Sequence, residues 1–369
     1  MDGEPEFCIS ACMRKMNLLL SCLLLAPVGA GAEDLTESTS LEITRSWAQE
    51  PGGWTYQMLL SVPDSMPAGG YPVCIVLHGA NVPPEGIFNT IVAELPDHVV
   101  VAPTGYELGW NICNEASNAP DMEMVEELVD RMQGFANVNP SAIRLVGFSN
   151  GAALANQCFI QNPDPGIDAV VTIVSQLAEI QFRNGSYFAP VADPIEAAPF
   201  CGYLQPTTAR TDRRYLNICN VNDDIIFYEG GLAPASGLNY LEARMSAFRV
   251  AQQMGYQGPP DLGDGQQVGT EPLFKYAYLG DRVVHLRGFA RHGWSPAMQE
   301  FTGDFLGTWT IEVDCPGDLD GDGAVNGADL ARLLAAWGVD DEAADLDDSG
   351  VVDGADLAAL LASWGGCGG

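Results

Sequence analysis

A serine between glycines is the feature of this sequence with the clearest chemistry. Residues 147–151 read Gly-Phe-Ser-Asn-Gly, with an apolar run at 142–146 before them and small residues at 152–155 after them. A G-x-S-x-G pattern between a strand and a helix forms a strained turn that lifts the serine hydroxyl to the top of a parallel sheet. A histidine that takes the hydroxyl proton makes such a serine a nucleophile. We therefore predict that Ser149 is the nucleophile of a serine hydrolase.

The scarcity of histidine narrows the choice of a general base. In this kind of site the acid and then the histidine follow the serine along the chain. His78 and His98 precede Ser149, and His285 lies within an apolar strand, whereas His292 lies in a loop before the last predicted helix. Because a catalytic imidazole must reach across the top of the sheet from a loop, we predict His292 as the base. The alternative is an ordinary surface histidine.

Two neighbouring aspartates are candidates for the acid. Asp223 and Asp224 follow a predicted strand at 215–219. An aspartate on a loop at that point can hold the histidine in the required tautomer and stabilise its charged form. The residue types do not choose between the two aspartates, and a solvated pair in a turn is the alternative interpretation of both.

Backbone N–H groups are expected to stabilise the oxyanion that forms when a serine attacks a carbonyl group. Asn150, directly after the serine, supplies one such group. We expect the second from the loop after His78, either from Ala80 or from Asn81. His78 itself is better interpreted as a structural residue of that loop than as a base.

Two tryptophans flank the predicted site in the sequence. Trp110 lies in a Gly-Trp-Asn loop, and Trp294 lies two residues after His292. An indole ring can stack on an aromatic acid or on a sugar ring. We therefore take both tryptophans as candidate substrate-binding residues, with packing of their own loops as the alternative.

Apolar strands alternate with helical segments over most of the chain. Strands are predicted at 41–62 (one or two), 71–77, 99–102, 143–146, 169–174, 215–219, 275–279 and 283–286, and helices at 122–132, from 151, at 238–254 and at 296–309. This alternation indicates a mostly parallel sheet that is covered by helices on both faces, so the predicted fold class is α/β. The loop-rich residues 179–213 are a candidate cap over the site.

Several of these segments resemble the polyhydroxybutyrate depolymerase and feruloyl esterase family of α/β-hydrolases over residues 71–309. The matching motifs are Leu-His-Gly at 77–79, Gly-Trp-Asn at 109–111, Val-Asn-Pro-Ser at 138–141, the segment at 144–152 and residues 222–231. The resemblance implies an α/β-hydrolase fold and the hydrolysis of hydroxyalkanoate, feruloyl or polysaccharide acetyl esters. The serine, the histidine and the aspartate themselves predict an acyl-enzyme mechanism, and such a triad needs no catalytic cofactor.

The same resemblance chooses between the two aspartates. The acid segment of the family reads His-Gly-x-x-Asp-x-x-Val-Pro-Tyr, and its aspartate falls on Asp223 when the pattern is laid on residues 219–228. The chain departs from that pattern with Cys219 and Asn220 in place of His-Gly and with Phe227 in place of proline. The resemblance therefore implies Asp223 as the acid.

The sequence analysis thus favours an ester hydrolase with a polymeric or oligomeric ester substrate. One alternative is a peptidase of the same fold. The other is a non-enzymatic adhesion or carbohydrate-binding protein on a hydrolase scaffold. A binding module has no need of a serine, an aspartate and a histidine in catalytic order, which favours the enzyme.

Length and charge limit the classes of partner. The chain of 369 residues is long enough for one large catalytic domain and a small second one, and 47% of its residues are hydrophobic. The formal net charge is −33, and only Lys15 and Lys275 are lysines. A surface this acidic repels nucleic acids and anionic membranes, so neither is expected as a partner.

The first 32 residues have the pattern of an export signal. A basic pair at 14–15 precedes a compact apolar stretch at 18–25 and a small-residue cleavage site at 30–32. The apolar stretch is too short to span a bilayer, and we expect no other membrane span. The polar start suggests that translation begins at Met13 or Met16. We expect a secreted or surface-attached protein, with a lipoprotein anchored at Cys22 as the alternative.

Cleavage after the leader leaves seven cysteines. Cys74 lies in a predicted strand and is interpreted as a small buried hydrophobic residue. The oxidising environment that export implies permits disulfides among the others, and the odd number leaves at least one cysteine without a partner in the chain.

The composition changes after residue 313, which divides the expected catalytic domain at 33–313 from a small all-α module at 314–369. The module has thirteen acidic residues and a single basic one, Arg332. The sequence Gly-Ala-Asp-Leu-Ala at 327–331 recurs at 354–358, a period of 27 residues. An internal repeat of this kind is typical of a separate module.

Each repeat contains a predicted calcium loop, which makes Ca²⁺ the one expected metal. The twelve expected ligand residues are Asp318, Asp320, Asp322, Ala324, Asn326 and Asp329 in the first loop and Asp345, Asp347, Ser349, Val351, Asp353 and Asp356 in the second. Ala324 and Val351 would contribute backbone carbonyls, and Gly323 and Gly350 occupy the turn position.

The two repeats together resemble a type I dockerin over residues 318–364. Dockerins have a Ser/Thr pair at loop places 10 and 11, where this chain has Gly-Ala at 327–328 and at 354–355. The expected partner is a cohesin-like domain or, as the alternative, a cell-surface component. Leucines and a tryptophan in each helix, ending at Trp337 and Trp364, are expected to form the core between the repeats.

Overall fold

The structure is a computed structural model, and it describes residues 32–191, 199–307, 317–319, 324–339, 341, 343–347 and 349–366. The predicted leader before residue 32, the predicted ligands Asp320 and Asp322, and the cysteines Cys315 and Cys367 lie outside these residues. Across the described residues, no helix is both long enough and apolar enough to cross a membrane.

The main body is built on a nine-stranded sheet in which six consecutive strands run parallel. From one edge to the other the strands are β14 (Gln266–Gln267), β15 (Phe274–Tyr278), β16 (Val283–Gly288), β11 (Arg214–Asn220), β7 (Ile167–Ile173), β6 (Val138–Phe148), β4 (Tyr71–Leu77), β5 (Val99–Pro103) and β3 (Met58–Ser61). The parallel set runs from β16 to β5, and the edge strands pair antiparallel.

Helices cover both faces of this sheet. They are α1 (Glu85–Glu94), α2 (Asp121–Gln133), α3 (Asn150–Gln161), α4 (Ala243–Gln253) and α5 (Pro296–Gly307). Buried residues of α2, α3 and α4 join one hydrophobic cluster, and those of α1 and α5 join a second cluster. Alternate residues of the central strands face the two clusters, which explains why these strands are apolar without interruption. The predicted α/β-hydrolase fold is confirmed by this architecture.

Smaller antiparallel sheets occupy the connections. They are formed by β1 (Ile43–Arg45) with β2 (Trp54–Tyr56), by β8 (Phe182–Arg183) with β9 (Ser186–Pro190) and β10 (Tyr203–Thr207), and by β12 (Gly231–Ala233) with β13 (Leu238–Tyr240). The helix predicted to begin at residue 238 therefore begins five residues later. Leu238–Tyr240 pairs as a strand, and the Glu242 side chain caps α4 by accepting the N–H groups of Arg244 and Met245.

Buried charges fasten the end of α5 to the sheet. Arg144 on β6 donates to the carbonyl oxygen of Leu306, and Arg214 on β11 donates to that of Phe305. Asp168 on β7 lies 3.3 Å from Arg144 and 3.8 Å from Arg214. The last turn of a helix carries unpaired carbonyls and a partial negative charge, so two guanidinium groups stabilise it there.

The C-terminal residues have a small hydrophobic cluster of their own. It is built on Val325, Leu333, Ala344, Val352 and Leu360, contributed by α6 (Gly327–Ala335), by α7 (Gly354–Ala362) and by the connecting residues. The strands β17 (Ala324–Val325) and β18 (Gly365–Gly366) pair antiparallel. Each helix begins with a capping box, which involves Asn326 in α6 and Asp353 in α7.

The expected core stripe of these helices is only partly right. Leu333 and Leu360 are fully buried, but Leu334, Trp337, Leu361 and Trp364 are each about half exposed. Leu334 and Leu361 each lie one residue after a buried leucine, about 100° around the helix, and Trp337 and Trp364 follow the last helical residues, Ala335 and Ala362.

Candidate active site

The turn at Ser149 has the geometry that the sequence pattern predicts. β6 ends at Phe148 and α3 begins at Asn150, so Ser149 alone makes the turn, with a φ of +53°. A side chain on Gly147 would place its Cβ 2.2 Å from the carbonyl oxygen of Gly151, and a side chain on Gly151 would meet that of Leu77 at the same distance. The close approach of strand and helix therefore requires both glycines.

Ser149, His292 and Asp223 lie in one hydrogen-bonded chain. The Oγ of Ser149 is 2.8 Å from Nε2 of His292, and Nδ1 of His292 is 2.9 Å from Oδ2 of Asp223. The Asp223 carboxylate is buried and also accepts the backbone N–H groups of Ile225 and Ile226, at 2.8 Å and 3.0 Å. These hydrogen bonds aim the carboxylate at the imidazole, which can take a proton from the serine hydroxyl.

The competing residues are placed elsewhere. Asp224 is exposed and pairs with Arg291 at 2.7 Å, and this hydrogen-bonded pairing lowers the pKa of the Asp224 carboxyl. His285 is buried within β16, where Tyr228 donates to one ring nitrogen at 2.9 Å and the other nitrogen donates to Asn217 at 3.0 Å. Burial lowers the pKa of His285 to about 3. It is the satisfied strand residue that its apolar context indicates.

Two asparagines tie the loop of His292 to the loop of the acid. The side chain of Asn220 accepts the N–H of Ala290 and donates to the carbonyl oxygen of Gly293, both at 2.9 Å. The side chain of Asn222 accepts the N–H of Arg291, also at 2.9 Å. Sequence reasoning missed these residues, although Asn220 stands at a position where the chain departs from the esterase-family motif.

The backbone N–H groups of the three predicted oxyanion donors differ in their hydrogen bonds, and that of Asn81 is not available for the predicted role. In the described part of the chain, the N–H groups of Ala80 and Asn150 have no acceptor, and both residues line the cavity at Ser149. The N–H of Asn81 instead donates to the carbonyl oxygen of Leu108 at 2.8 Å. Asn81 has a φ of +60°, in the left-handed region, and its N–H is engaged by Leu108.

His78 holds the loop after β4 in place, which agrees with the structural role expected for it. It is fully buried, and its Nε2 accepts the N–H of Gly105 at 2.9 Å while Nδ1 faces the carbonyl oxygen of Gly79 at 2.8 Å. Burial lowers the pKa of His78. A neutral ring therefore links the loop after β4 to the loop after β5.

The side chain of Asn150 is hydrogen-bonded to the loop that contains Trp110 and Glu115, which contributes to the cavity wall. Its Oδ1 accepts the N–H of Trp110 at 2.7 Å, and its Nδ2 donates to the carbonyl oxygen of Trp110 and to Oε1 of Glu115, each at 3.1 Å. Glu115 also accepts the N–H groups of Ile112 and Cys113 at Oε2, at 3.0 Å and 2.6 Å. Sequence reasoning identified only the backbone of Asn150.

A cavity of about 640 Å³ opens at Ser149. Five parts of the chain supply its lining residues, which are 79–82, then 106–109, 112 and 114–117, then 148–150 and 153, then 225, 226, 235, 236, 238 and 240, and finally 292. The proposed cap at 179–213 contributes none of the described lining residues. That stretch forms the separate sheet of β8, β9 and β10, and a disulfide between Cys201 and Cys113 ties it to the cavity wall.

The prediction that Trp110 and Trp294 bind substrate is corrected. Trp110 is completely buried, and its indole N–H donates to the carbonyl oxygen of His78 at 2.7 Å. Trp294 packs against the hydrophobic cluster under α1 and α5. Neither indole lines the cavity, because both loops fold back onto the protein body; Tyr106, Phe148 and Tyr240 supply the aromatic walls instead.

The second predicted calcium loop brings carboxylates together. One carboxylate oxygen each of Asp345, Asp347 and Asp356 lies within 4.8 Å of the others, and Asp345 and Asp356 are buried. Gly350 turns the loop with a φ of +89°. Gathered oxygen ligands of this kind suit a hard divalent cation, so the residues present fit Ca²⁺. In the first loop, the predicted ligands Asp318, Ala324, Asn326 and Asp329 are described, and Asp320 and Asp322 are not.

Comparison with known proteins gives structural likeness alone. No protein-family model and no curated protein matches the chain. A carboxylesterase from Bacillus cereus is 10% identical over 68% of this chain and 93% of its own, with a TM-score of 0.42. A phospholipase/carboxylesterase from Dyadobacter fermentans is 13% identical over 68% and 96%, with a TM-score of 0.42. A poly(3-hydroxybutyrate) depolymerase from Bordetella parapertussis is 16% identical over 54% and 72%, with a TM-score of 0.36.

Proposed function

We propose that this protein is a serine ester hydrolase. The observation that carries the proposal is the hydrogen-bonded chain from Ser149 through His292 to Asp223 at the wall of a large cavity. Ala80 and Asn150 line the same cavity, and their backbone N–H groups have no acceptor among the described residues. Nucleophile, base, acid and oxyanion donors are the full set that acyl transfer needs.

In the proposed mechanism, Ser149 Oγ attacks the ester carbonyl while Nε2 of His292 takes the hydroxyl proton. The negative charge that develops on the carbonyl oxygen is stabilised by the N–H groups of Ala80 and Asn150. Collapse of the tetrahedral intermediate breaks the ester C–O bond, and His292 returns the proton to the leaving alcohol. Water, activated by the same histidine, then hydrolyses the acyl-enzyme and releases the acid.

The proposed substrates are esters of hydroxyalkanoates, of ferulate or of acetylated plant polysaccharides, in oligomeric or polymeric form. A cavity of about 640 Å³ holds a substrate of drug-like size, and aromatic and aliphatic walls favour its apolar parts. A peptidase of the same fold and a non-enzymatic adhesion or carbohydrate-binding protein remain the rival functions.

The proposal is tested with a panel of p-nitrophenyl esters, hydroxybutyrate oligomers, methyl ferulate, acetylated xylan and a peptide substrate. We expect hydrolysis of esters, labelling of Ser149 by a fluorophosphonate, and loss of several orders of magnitude in kcat for Ser149→Ala. The Asp130→Asn variant, which changes an exposed residue on α2, serves as the control. Ester hydrolysis that survives Ser149→Ala, or labelling at another residue, contradicts the proposal.

We further propose that the C-terminal repeats bind Ca²⁺ and attach the protein to a cohesin-like domain or to a cell surface after export. The buried carboxylates of Asp345 and Asp356 support this, because a bound cation would offset their mutual repulsion and supply folding free energy. Calorimetric titration of the full chain with CaCl₂ should detect two sites, one of which Asp347→Asn removes. Ester hydrolysis should persist in chelator. An absence of heat on titration refutes the calcium proposal.

A further inference from the structure

The carboxylates in the lining of the cavity at Ser149 give it a negative charge. Among the described residues that line it, Glu107 and Glu115 are acidic and none is a lysine or an arginine. Glu107 is exposed at the rim, where water and salt screen its charge. Glu115 is only partly exposed, so its field within the cavity is screened less.

Glu115 lies in the wall of the cavity that Ser149 also lines, and three hydrogen bonds hold it there. Its Oε1 accepts a hydrogen bond from the side-chain Nδ2 of Asn150, the residue that follows the nucleophile, and its Oε2 accepts two backbone N–H groups of its own loop. N–H donors at both oxygens fix the orientation of this carboxylate. The three donors are neutral, so the cavity wall keeps a net negative charge near Ser149.

We propose that Glu115 makes the site reject esters that carry a free carboxylate close to the bond that is cut. The inference rests on the proposed ester hydrolysis and narrows its substrate class to neutral esters. In a polyester chain, only the carboxyl end has a carboxylate next to an ester link. The protein would therefore cleave internal or capped links in preference to the link beside a free acid end.

The same repulsion acts on the product. Hydrolysis of the acyl-enzyme leaves an acid that ionises at neutral pH, and this anion forms beside Glu115. Repulsion between two carboxylates in a partly desolvated cavity weakens the binding of the product. The free acid should therefore be a poor inhibitor, although it fills the same space as the acyl group of the substrate.

The test compares esters of matched size and different charge. We measure kcat/KM for p-nitrophenyl pentanoate against p-nitrophenyl hydrogen glutarate, and for a methyl-capped hydroxybutyrate trimer against the free-acid trimer. We expect the neutral member of each pair to be preferred about tenfold or more. Glu115→Gln should bring both ratios close to one. Glu229→Gln, which removes an exposed carboxylate outside the cavity lining, should leave both ratios unchanged.

The ratio of kcat/KM for the neutral ester to kcat/KM for the anionic ester corrects for any general loss of activity in Glu115→Gln. Should this variant not fold, the wild-type protein decides, because the neutral preference should narrow as the ionic strength is raised from 0.05 M to 1 M. Equal hydrolysis of neutral and anionic esters by the wild type, or a preference that Glu115→Gln leaves intact, overturns the inference. Hydrolysis of no ester at all overturns the proposed function itself, and the inference falls with it.

Discussion

The side-chain amide of Asn220 donates to the carbonyl oxygen of Gly293, 2.9 Å away, directly after His292 in the chain. The same side chain accepts the N–H of Ala290, so it bonds the backbone on both sides of the histidine. Asn220 is fully buried at the end of β11, three residues before Asp223. The end of β11 therefore positions both the proposed acid and the proposed base.

Asn220→Ala should lower kcat more than it changes KM. Without the amide, the His292 loop loses two hydrogen bonds, and a displaced base costs about 10–100-fold in rate because the reaction needs close alignment. The unpaired N–H and carbonyl groups also cost about 1–3 kcal/mol in the free energy of unfolding. Steady-state kinetics and urea denaturation measure the two effects. Asn239→Ala, an exposed asparagine of β13, is the control, and a pure loss of stability with unchanged kcat would refute the positioning role.

The two neighbouring aspartates should respond differently to removal of their charge. Asp223→Asn should lower kcat about 10⁴-fold, because His292 loses the partner that fixes its tautomer. Asp224→Asn removes only an exposed pairing with Arg291 and should leave kcat close to that of the wild type. Kinetics on one neutral p-nitrophenyl ester compares the variants directly, and a reversed order would show that Asp224 is the acid.

Buried histidines should make the protein less stable in mild acid. The pKa of His285 is lowered to about 3 by burial, while in the unfolded chain it is about 6.5. Below pH 6.5, His285 therefore binds a proton in the unfolded chain but not in the folded protein. This lowers the free energy of unfolding by about 1.4 kcal/mol per pH unit, and the loss continues down to about pH 3. His98, with its pKa lowered to about 4, acts in the same direction.

The variant His285→Gln isolates this effect. A glutamine can accept from Tyr228 and donate to Asn217 as the neutral imidazole does, but it does not titrate. Urea denaturation between pH 6 and pH 4 should give a slope of unfolding free energy against pH that is about 1.4 kcal/mol per unit smaller than in the wild type. Parallel curves for the two proteins would mean that His285 is not the group responsible.

Removal of the disulfide should affect both stability and substrate binding. The bond between Cys113 and Cys201 joins residues 88 apart in the sequence, and Cys113 lies next to the lining residues Ile112 and Asn114. The double variant Cys113→Ala, Cys201→Ala should lose about 2–4 kcal/mol in unfolding free energy. A looser wall should raise KM for neutral esters more than it lowers kcat. Equal KM values before and after the change would show that the wall is held by its hydrogen bonds alone.

The parts of the molecule that were predicted from sequence are those with a local signal. The G-x-S-x-G turn, the uninterrupted apolar strands and the order of acid and histidine are each visible within a few residues. The fold class followed from them. The choice of Asp223 over Asp224 came from the family resemblance, and the structure brings that residue to His292.

The errors and omissions concern side chains whose partners are distant in the sequence. Asn220 bonds residues 70 and 73 positions away, and Glu115 bonds Asn150 at 35 positions. No local pattern reports such pairs. Trp110 was misjudged for the same reason, since its burial depends on contact with His78 from another strand end. The backbone N–H of Asn81 donates to the carbonyl oxygen of Leu108, and an asparagine at this position permits the backbone turn seen there but does not require it.

The buried guanidinium groups of Arg144 and Arg214 have a mechanical consequence. If the repeats beyond residue 317 hold the protein to a surface, tension enters the body through the C-terminal end of α5, whose other end adjoins the His292 loop. The two arginines donate hydrogen bonds to the carbonyl groups of Phe305 and Leu306, and these bonds would transmit the force to the central strands. In a molecule tethered in this way, the central sheet would take the force before it reached His292, so the proposed base would stay aligned with Ser149.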